Sequence, residues 1–477
     1  MPRARTRSGT GTGFLRRLGR VTLAGVVALG AGCGEPEVAE EEGAEPWVDG
    51  TMKKLNDNGA WSWFMDERVI VHEGKLIVGS VRAIGGREDE PIYGSAGNVE
   101  VAVWDLETDE VGTVVLFEKL QQDDHNNPSF LPRMNGGLLA IYTKHRVDQD
   151  VYVQYSMPGD PLWWTPPTVF ESPRAATGAH AATYSNTFRL PSGRIVNFYR
   201  GFEQDPNYMY SDNDGVTWTY GGRLVHGLNG YSPYLKYAQD SKGAIHFVAT
   251  EDHPRQYDNS LYHGIVDGEE LRGSDGTVIA ALSKNTAPSA DITQLTRIFP
   301  GDPDNVAWMT DIEIDEQDRP VVAFTVQKDG RYSVAGQGGH DNRYHHARWD
   351  GESWHWHEIA HAGERLYAGE DDYTGLATLD PRDTRVVYIS TNVDPVAGDP
   401  LISASDGEAH YELFRCVTAD DGETWEFAPI TRDSRNDNLR PLVPRWDDER
   451  TALVWMRGTY EYNSGKWSSA VVAMIRE

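Results

Sequence analysis

An eight-residue pattern constrains the fold of this chain more than any other feature of its sequence. It occurs as SDNDGVTW at Ser211–Trp218 and as TADDGETW at Thr418–Trp425, with a shortened third copy at Trp349–Trp354. In each copy an Asp or Asn side chain can accept hydrogen bonds from backbone amides, and the glycine can adopt a positive φ. The tryptophan can then pack between neighbouring sheets. This pattern, the Asp box, predicts a hairpin turn, and its recurrence beside strand-like segments predicts a repeat architecture built from sheets.

The segments between these turns favour strands over helices. Many are short and rich in β-branched and aromatic residues, and several alternate apolar and polar positions as half-buried strands do. Asn-Gly, Asp-Gly, Ser-Gly and Lys-Gly pairs separate them and favour turns. We therefore predict an all-β chain that folds as a single β-propeller, with seven blades favoured over six. Seven blades give about 61 residues each, and long loops can absorb the excess over the usual ~40–50.

The first 46 residues have a composition unlike the rest of the chain. Residues 1–32 combine six arginines, no acidic residue and a short apolar run at Val21–Leu29, which predicts a secretory signal peptide. Cys33 follows Gly-Ala-Gly, so we expect it to carry lipid, with an ordinary cleavage site as the alternative. Residues 33–46 are acidic and small, which predicts a disordered tether before a propeller domain at 47–477. The protein is thus expected to be exported, and either lipid-anchored to the cell envelope, in the periplasm or at the outer surface, or secreted.

The charge of the chain narrows its partners. The formal net charge is −29, and it becomes more negative once the arginines of the signal are removed. Such a field repels nucleic acid, so we expect no nucleic acid partner. It also repels an anionic polysaccharide at long range, so that binding one would require a local basic cluster. Cys33 and Cys416 are the two cysteines, which leaves no intramolecular disulfide once Cys33 is lipidated, and we expect a monomer.

Short motifs spread over nearly all of the chain after the tether carry a resemblance to a known family. These motifs are Trp61–Phe64 with Arg68, Asp123–Pro128, Tyr142–His145, Thr183–Asn186, Asn197–Gly201, Pro233–Tyr237, Glu370–Gly375 and Asp437–Pro441. They resemble a bacterial-neuraminidase-repeat family whose characterised members look like ulvan lyases with a seven-bladed propeller. Relatives act on rhamnose–glucuronate linkages by lysis or by hydrolysis, so the resemblance alone leaves the reaction open.

Four residues match the working set of those lyases. His125 and His145, twenty residues apart, are followed by Tyr184 and, sixteen residues later, by Arg200. Two histidines, a tyrosine and an arginine at this spacing are the catalytic residues of the family. The resemblance therefore implies a polysaccharide lyase that cuts an ulvan-like, uronic-acid-containing polymer by β-elimination.

The chemistry of uronate elimination explains why these residue types are needed. The enzyme must neutralise the substrate carboxylate, remove the C5 proton next to it and protonate the departing C4 oxygen. Tyr184 and His125 are expected to be the base and the acid, in an order that the sequence leaves open. Arg200 and a protonated His145 would hold the carboxylate. The residues expected to bind substrate are Asn126, Asn127, Lys144, Tyr234, Lys236 and Tyr237, and Lys144, Arg146 and Lys236 are expected to form the local basic cluster.

Elimination of this kind requires no cofactor, but a structural metal ion remains open. His253 and His263 are candidates for a zinc ion, and Asp371 and Asp372 for a calcium ion.

Two other classes of function also fit the sequence. A glycoside hydrolase of the same fold, either a rhamnosidase or a sialidase-like enzyme, would need acidic catalytic residues. A sialidase would also use an arginine triad, for which Arg68, Arg200 and Arg440 are the candidates. A non-catalytic glycan-binding lipoprotein would need no base, so the histidine, tyrosine and arginine set favours the lyase.

Overall fold

The computed structural model describes residues 45–84, 97–174, 181–228, 230, 232–329, 338–446, 449–462 and 466–476. Helical structure in these ranges is limited to single 3-10 turns at Asp124–Asn126, Phe202–Gln204 and Ile292–Gln294, and all other regular elements there are β-strands. Over the same ranges, no helix has the length and apolar character needed to cross a membrane. The predicted signal peptide, Cys33 and nearly all of the tether lie outside the described residues.

The strands form seven sheets arranged in a ring, so the predicted all-β, seven-bladed propeller is confirmed. In each blade the chain runs from an inner strand outwards, and inner strands of neighbouring blades contact one another. Blade 1 consists of Val69–His72, Lys75–Ala83, Gly97–Asp105 and Val111–Phe117, and blade 2 of Ser129–Pro132, Leu138–Thr143, Asp150–Met157, Asp160–Trp164 and Thr168–Glu171. Blade 3 consists of Thr183–Arg189, Ile195–Arg200, Pro206–Ser211 and Thr219–His226, and Pro288–Asp291 pairs in parallel with its last strand.

The remaining blades have the same antiparallel order. Blade 4 consists of Tyr234–Gln239, Ile245–Thr250, Leu261–Asp267, Glu270–Arg272, Val278–Ala281 and Thr296–Phe299. Blade 5 consists of Val306–Ile314, Pro320–Gln327, Asn342–Trp349 and Trp354–Gly363. Blade 6 consists of Ala377–Asp380, Asp383–Thr391, Glu412–Val417 and Glu426–Pro429. Blade 7 consists of Asp437–Leu442, Thr451–Tyr462, Lys466–Arg476 and Lys53–Asn56. A short pair, Trp47–Val48 with Thr431–Arg432, lies outside the blades.

The N-terminal part of the domain closes the ring. Lys53–Asn56 is hydrogen-bonded to Lys466–Arg476 and forms the outer edge of blade 7, whose other three strands are the last of the chain. The two ends of the domain therefore share one sheet, and opening the ring requires breaking it.

The two full Asp boxes connect the third and fourth strands of blades 3 and 6, as hairpin turns. In blade 3 the hydroxyl of Ser211 accepts the amide of Gly215 at 2.9 Å. The side chain of Asn213 accepts the amide of Thr217, also at 2.9 Å, and the copy in blade 6 makes the equivalent bonds. Gly215 has a φ of 87°, as expected for the turn, so the boxes have the structural role that the sequence predicts.

A segment before blade 1 lies on the axis of the propeller. All side chains of Ala60–Asp66 are buried. The amide of Ser62 donates to the carbonyl of Asp124, ahead of blade 2, at 3.0 Å. The indole of Trp63 donates to the carbonyl of Met309, in blade 5, at 3.2 Å. A segment bonded to such distant parts of the ring closes its central channel, and we call Ala60–Asp66 the axial plug.

The axial plug separates two faces of the propeller. Trp61 belongs to the axial plug, and the first strand of blade 1 begins after it, at Val69. At the face where inner strands end, the described residues enclose a cavity of about 1130 Å³ lined by acidic and arginine side chains. The predicted catalytic residues lie at the other face, where the inner strands begin.

Candidate functional site

The four predicted catalytic residues occupy equivalent positions in two neighbouring hairpins. Tyr184 is the second residue of the inner strand of blade 3, and Arg200 ends the next strand. His125 lies in the 3-10 turn before blade 2, and His145 comes two residues after its second strand. In an antiparallel hairpin the start of one strand and the end of the next share one edge. All four residues therefore meet at the same axial face.

One carboxylate joins the two histidines. Asp123 lies with Oδ1 2.7 Å from Nδ1 of His125 and with Oδ2 2.8 Å from Nδ1 of His145. The two imidazole rings are stacked, with centroids 3.9 Å apart and planes 10° from parallel. The ring of Tyr184 lies 5.4 Å from that of His125. We call His125 and His145 the histidine pair.

A second carboxylate contacts only one member of this pair. Oδ1 of Asp124 lies 2.7 Å from Nδ1 of His125. The other oxygen of Asp124 accepts hydrogen bonds from Arg440 at 2.5 Å and from the hydroxyl of Tyr460 at 2.7 Å. Asp124 is thus fixed in place by blade 7, and it adds negative charge on the side of His125.

The two histidines therefore differ in pKa. Burial opposes charge on both rings, but at His125 the carboxylates of Asp123 and Asp124 outweigh it and raise the pKa to about 9. At His145 burial, together with the charges of His125 and Arg200, outweighs Asp123 and lowers the pKa to about 4. At neutral pH His125 is a cation and His145 is a neutral proton acceptor. This distribution is the reverse of the expectation that a protonated His145 supplies the charge.

Tyr184 has an unusual backbone conformation. Its φ is 70°, and the pairing between its strand and Ile195–Arg200 changes register here, as in a β-bulge. Such a conformation costs ~1–3 kcal/mol and is typical of functional sites. The hydroxyl of Tyr184 is buried without a hydrogen-bond partner among the described residues. Burial raises its pKa well above the usual value although Arg200 opposes the shift, so the hydroxyl keeps its proton at neutral pH.

Aromatic rings surround the guanidinium of Arg200. Its Cζ lies 4.9 Å from the centroid of the Tyr184 ring and 5.1 Å from that of Tyr234. Phe64 of the axial plug packs against both tyrosine rings, at 5.3 and 5.2 Å. Within the described ranges, Nε of Arg200 has no hydrogen-bond partner. A buried cation held by ring faces keeps donors that an anionic ligand can use.

Two amide side chains adjoin the histidine pair. Asn126 donates through Nδ2 to the carbonyl of Gln121 at 3.0 Å, and its Oδ1 has no partner among the described residues. Asn127 has a partner there for neither its oxygen nor its nitrogen, and both side chains are fully buried. Because buried polar groups are nearly always hydrogen-bonded, Asn126 and Asn127 have unused capacity to bind a ligand.

The two lysines of the expected basic cluster are neutralised. Lys236 is buried, and its Nζ lies 3.0 Å from both carboxylate oxygens of Asp66 and 3.5 Å from Asp311. Lys144 forms an ion pair with Asp148 at 2.6 Å. The prediction of a lysine-based cluster is therefore wrong, because carboxylates already occupy both ammonium groups.

Tyr237 lies in the core instead of the site. Its ring stacks on Phe198 at 4.7 Å and lies 6.1 Å from Phe247, between blades 3 and 4. Because its ring is buried in the packing between these two blades, its predicted role in substrate binding is wrong. Tyr234, on the same strand, lies beside Arg200 as described above.

A further cluster of ionisable groups lies beyond Tyr234. The ring of His253 meets that of Tyr234 edge-on at 5.8 Å and stacks on that of Tyr373 at 5.7 Å. One ligand atom from each of His253, Glu370 and Asp372 lies within 4.8 Å of the other two. Burial raises the pKa of Glu370 and, more strongly, that of Asp372. The sequence named His253 and Asp372 as metal candidates, and Glu370 only as part of a family motif.

The predicted zinc pair does not form. Nε2 of His263 lies 3.1 Å from Nδ1 of His246, and Nδ1 of His263 lies 2.8 Å from the hydroxyl of Ser274. His253 is in the cluster at the axial face instead, so the prediction that His253 and His263 share one ion is wrong.

The orientation of His253 also disfavours a metal ion in its own cluster. Its Nδ1 accepts the amide of Arg255 at 3.3 Å, which puts the ring proton on Nε2, the atom 3.5 Å from Glu370. A metal ion would need the lone pair of that nitrogen. Asp371 forms an ion pair with Arg365 at 3.0 Å, which removes it from a calcium site. We therefore assign no metal ion to this cluster, although Oε2 of Glu370 and both carboxylate oxygens of Asp372 have no hydrogen-bond partner among the described residues.

Sequence reasoning missed the acidic residues that organise the site. Asp123 and Asp124 belong to the motif that includes His125, Asn126 and Asn127, yet only those three residues were assigned roles. An acidic residue two positions before a candidate catalytic histidine is a signal for an orienting carboxylate. Glu370 and Asp372 were also within a recognised motif, but nothing in the sequence shows that they meet His253.

Comparisons with known proteins agree with this architecture. A solved PL25 ulvan lyase is similar over 88% of this chain and 94% of its own, with a TM-score of 0.60 and 13% identity. A PL25 ulvan lyase bound to -[GlcA(1-4)Rha3S]- has a TM-score of 0.59 at 13% identity, over 88% and 94% of the two chains. The polysaccharide lyase Uly1 has a TM-score of 0.55 at 10% identity, over 92% and 95%. At these identities the likeness establishes a common fold.

The family follows from the sequence match. No curated protein matches the chain. Residues 92–362, more than half of the chain, match the family described as "BNR repeat-containing family member". With its Asp-box turns and seven-bladed propeller, the chain belongs to the BNR repeat-containing family.

Proposed function

We propose that the protein is a polysaccharide lyase that cleaves a uronic-acid-containing polymer by β-elimination. The observation that carries the proposal is the cluster of the histidine pair, the unpartnered hydroxyl of Tyr184 and the buried guanidinium of Arg200. It brings together a cation for the carboxylate, a neutral proton acceptor and a proton donor. Elimination from a uronate needs these three functions at one place.

Neutralisation of the substrate carboxylate is the first requirement. Arg200 supplies positive charge in a buried site, where electrostatic interactions are stronger than in water. The imidazolium of His125, whose charge Asp123 and Asp124 balance, can donate its Nε2–H to the carboxylate. The unpartnered amide of Asn127 can donate to the same carboxylate. As the C5 proton leaves, charge moves onto the carboxylate oxygens, so these groups stabilise the transition state more than the ground state.

Proton transfer completes the reaction. Nε2 of the neutral His145 takes the C5 proton, the electrons of that bond form the C4–C5 double bond, and the C4–O bond breaks. Tyr184 gives its hydroxyl proton to the departing oxygen, and Arg200, 4.9 Å from its ring, stabilises the phenolate that remains. Transfer of the proton from His145 to Tyr184 through solvent restores the starting state.

The fold neighbours support a substrate class. A PL25 ulvan lyase with the same fold binds -[GlcA(1-4)Rha3S]-, and an ulvan-like rhamnose–glucuronate polymer is therefore the substrate that we propose first. We also propose that the protein acts outside the cytoplasm as an exported monomer anchored through Cys33, because its polymeric substrate does not enter cells.

Product analysis tests the proposal directly. The purified protein is incubated with ulvan and with other uronate polymers, and the products are followed by ultraviolet absorbance and mass spectrometry. Elimination yields oligosaccharides with an unsaturated uronate at the new non-reducing end. Cleavage that yields only saturated ends would show hydrolysis, and no cleavage of any uronate polymer would contradict the proposal.

A glycoside hydrolase is the second candidate, because the site also contains two buried acidic residues. Ligand atoms of Glu370 and Asp372 lie within 4.8 Å of each other, near the ~5–5.5 Å between the carboxyl groups of retaining glycosidases. Their raised pKa values suit a proton donor. In that case Glu370→Gln would abolish cleavage, Tyr184→Phe would not, and the products would be saturated.

The sialidase alternative has less support. Two of the three arginines that would form the sialidase triad are already paired with carboxylates. Arg68 pairs with Asp66 at 3.1 Å, and Arg440 pairs with Asp124 at 2.5 Å. A non-catalytic glycan binder would bind the polymers without cleaving them, which the product assay also detects.

A further inference from the structure

A single side chain contacts both histidines of the proposed reaction. Asp123 is 2% exposed, and its two oxygens are 2.7 Å and 2.8 Å from Nδ1 of His125 and His145. It also accepts the backbone amide of His125 at 3.1 Å, which fixes the carboxylate relative to the turn. We propose that Asp123 is a positioning residue that sets the tautomer of both histidines and balances the one positive charge that the pair carries. The catalytic consequence of this assignment rests on the proposed function.

The tautomers follow from the donors and acceptors. An ionised carboxylate can only accept hydrogen bonds, so each ring must present an Nδ1–H group to Asp123. The neutral member of the pair then has its lone pair on Nε2, the nitrogen remote from Asp123. A base with the opposite tautomer would turn an N–H group towards the substrate and could not accept the C5 proton. Asp123 thus keeps His145 in the form that elimination requires.

The stacking explains why the pair carries one charge. Two imidazolium rings 3.9 Å apart would repel each other, so protonation of one ring disfavours protonation of the other. The additional carboxylate of Asp124 favours the charge on His125, and Arg200 disfavours it on His145. The charged and titratable groups that face the pair are Asp123, Asp124, Tyr184, Arg200, His253, Glu370, Arg440 and Tyr460.

The variant Asp123→Asn separates positioning from mere packing. The amide has nearly the same size, but it replaces one acceptor by an N–H donor. One histidine must then turn its Nδ1 into an acceptor and move its proton to Nε2. We expect kcat to fall by ~10²–10⁴-fold, the range for loss of a correctly poised acid or base, while KM changes little because Arg200 remains. Asp212→Asn, at an exposed carboxylate paired with Arg194, is the matched control and keeps wild-type kinetics.

Nuclear magnetic resonance of the protein labelled with ¹⁵N-histidine tests the assignment without substrate. Signals are identified with the variants His125→Gln and His145→Gln. In the native protein we expect Nδ1–H at both rings and a titration of His125 near pH 9. In folded Asp123→Asn we expect loss of one Nδ1–H and a fall of the His125 pKa by ~1–3 units.

The outcomes distinguish the two proposals. An Nε2–H tautomer at neutral His145 in the native protein would overturn the role of Asp123, and this result does not depend on the folding of any variant. An unchanged titration of His125 in folded Asp123→Asn would overturn it as well. If the spectra agree with the expectation but no uronate polymer is cleaved, the proposed lyase function fails and the assignment of Asp123 stands.

Discussion

Removal of one hydroxyl should separate the stability of this protein from its activity. The Tyr184 hydroxyl is buried without a partner among the described residues, and burying an unsatisfied hydroxyl costs ~1–3 kcal/mol. Tyr184→Phe removes that cost and keeps the ring that packs against Phe64 and Arg200. We therefore expect the free energy of unfolding to stay constant or to rise by ~1 kcal/mol. The same change removes the proposed proton donor, so kcat should fall by ~10²–10⁴-fold.

A tyrosine of the same blade provides the matched control. The hydroxyl of Tyr199 is hydrogen-bonded to that of Ser172 at 2.8 Å, so Tyr199→Phe leaves the Ser172 hydroxyl unpaired. This variant should lose ~1 kcal/mol of stability and keep its kcat. Urea denaturation and the rate of formation of unsaturated products measure the two quantities. Wild-type rates for Tyr184→Phe would refute the assignment, and a marked loss of its stability would show that its hydroxyl has a structural partner.

Four further predictions concern the site and the N-terminus. Arg200→Ala should lower kcat/KM by at least ~10²-fold through both kcat and KM, because Arg200 holds the carboxylate before and during proton transfer; an effect on KM alone would contradict this role. The pH profile of kcat/KM should fall below about 4, where His145 is protonated, and above about 9, where His125 loses its proton. Since the folded pKa of His125 exceeds its unfolded value of ~6.5, its charge stabilises the fold fully below pH ~6.5, and the melting temperature should decline as the pH rises towards 9. Cys33→Ser should move the protein from the membrane fraction to the soluble fraction of cells; continued membrane association would exclude a lipid at Cys33.

The fold was accessible from sequence because its signals are local. Each full Asp box contains, within eight residues, the side chains and the glycine that make its hydrogen bonds. The axial plug was not accessible in this way. Trp61–Phe64 has the composition of a strand in an aromatic-rich protein, and its position on the axis depends on contacts with residues as distant as Met309. Local patterns predict turns and strands, but they do not reveal which segment fills the channel.

The sequence could predict those parts of the site that depend on the position of a residue along its strand. Tyr184 lies at the start of one strand and Arg200 at the end of the next, so a single hairpin brings both residues, which the family resemblance had named, to one face. Tyr237 was an avoidable error, since side chains alternate along Tyr234–Gln239, and Tyr237 therefore faces away from Tyr234 and Lys236. The pairing of Lys236 with Asp66, 170 residues earlier, was not accessible, because no local pattern predicts it.

The acidic character of the chain and an anionic substrate are compatible because the site relies on short-range charge. The net charge of −29 repels a polyanion at a distance, and neither Lys144 nor Lys236 offsets it, because carboxylates neutralise both. The positive charge that remains for a ligand comes from Arg200, which is buried at the axial face, while His125, whose charge Asp123 and Asp124 balance, offers an Nε2–H donor. Buried charges are screened little by salt and act strongly over a few ångströms. Recognition of the carboxylate therefore depends on its entry into the cluster, where Arg200 and His125, which bind it, also stabilise the charge that develops as the C5 proton leaves.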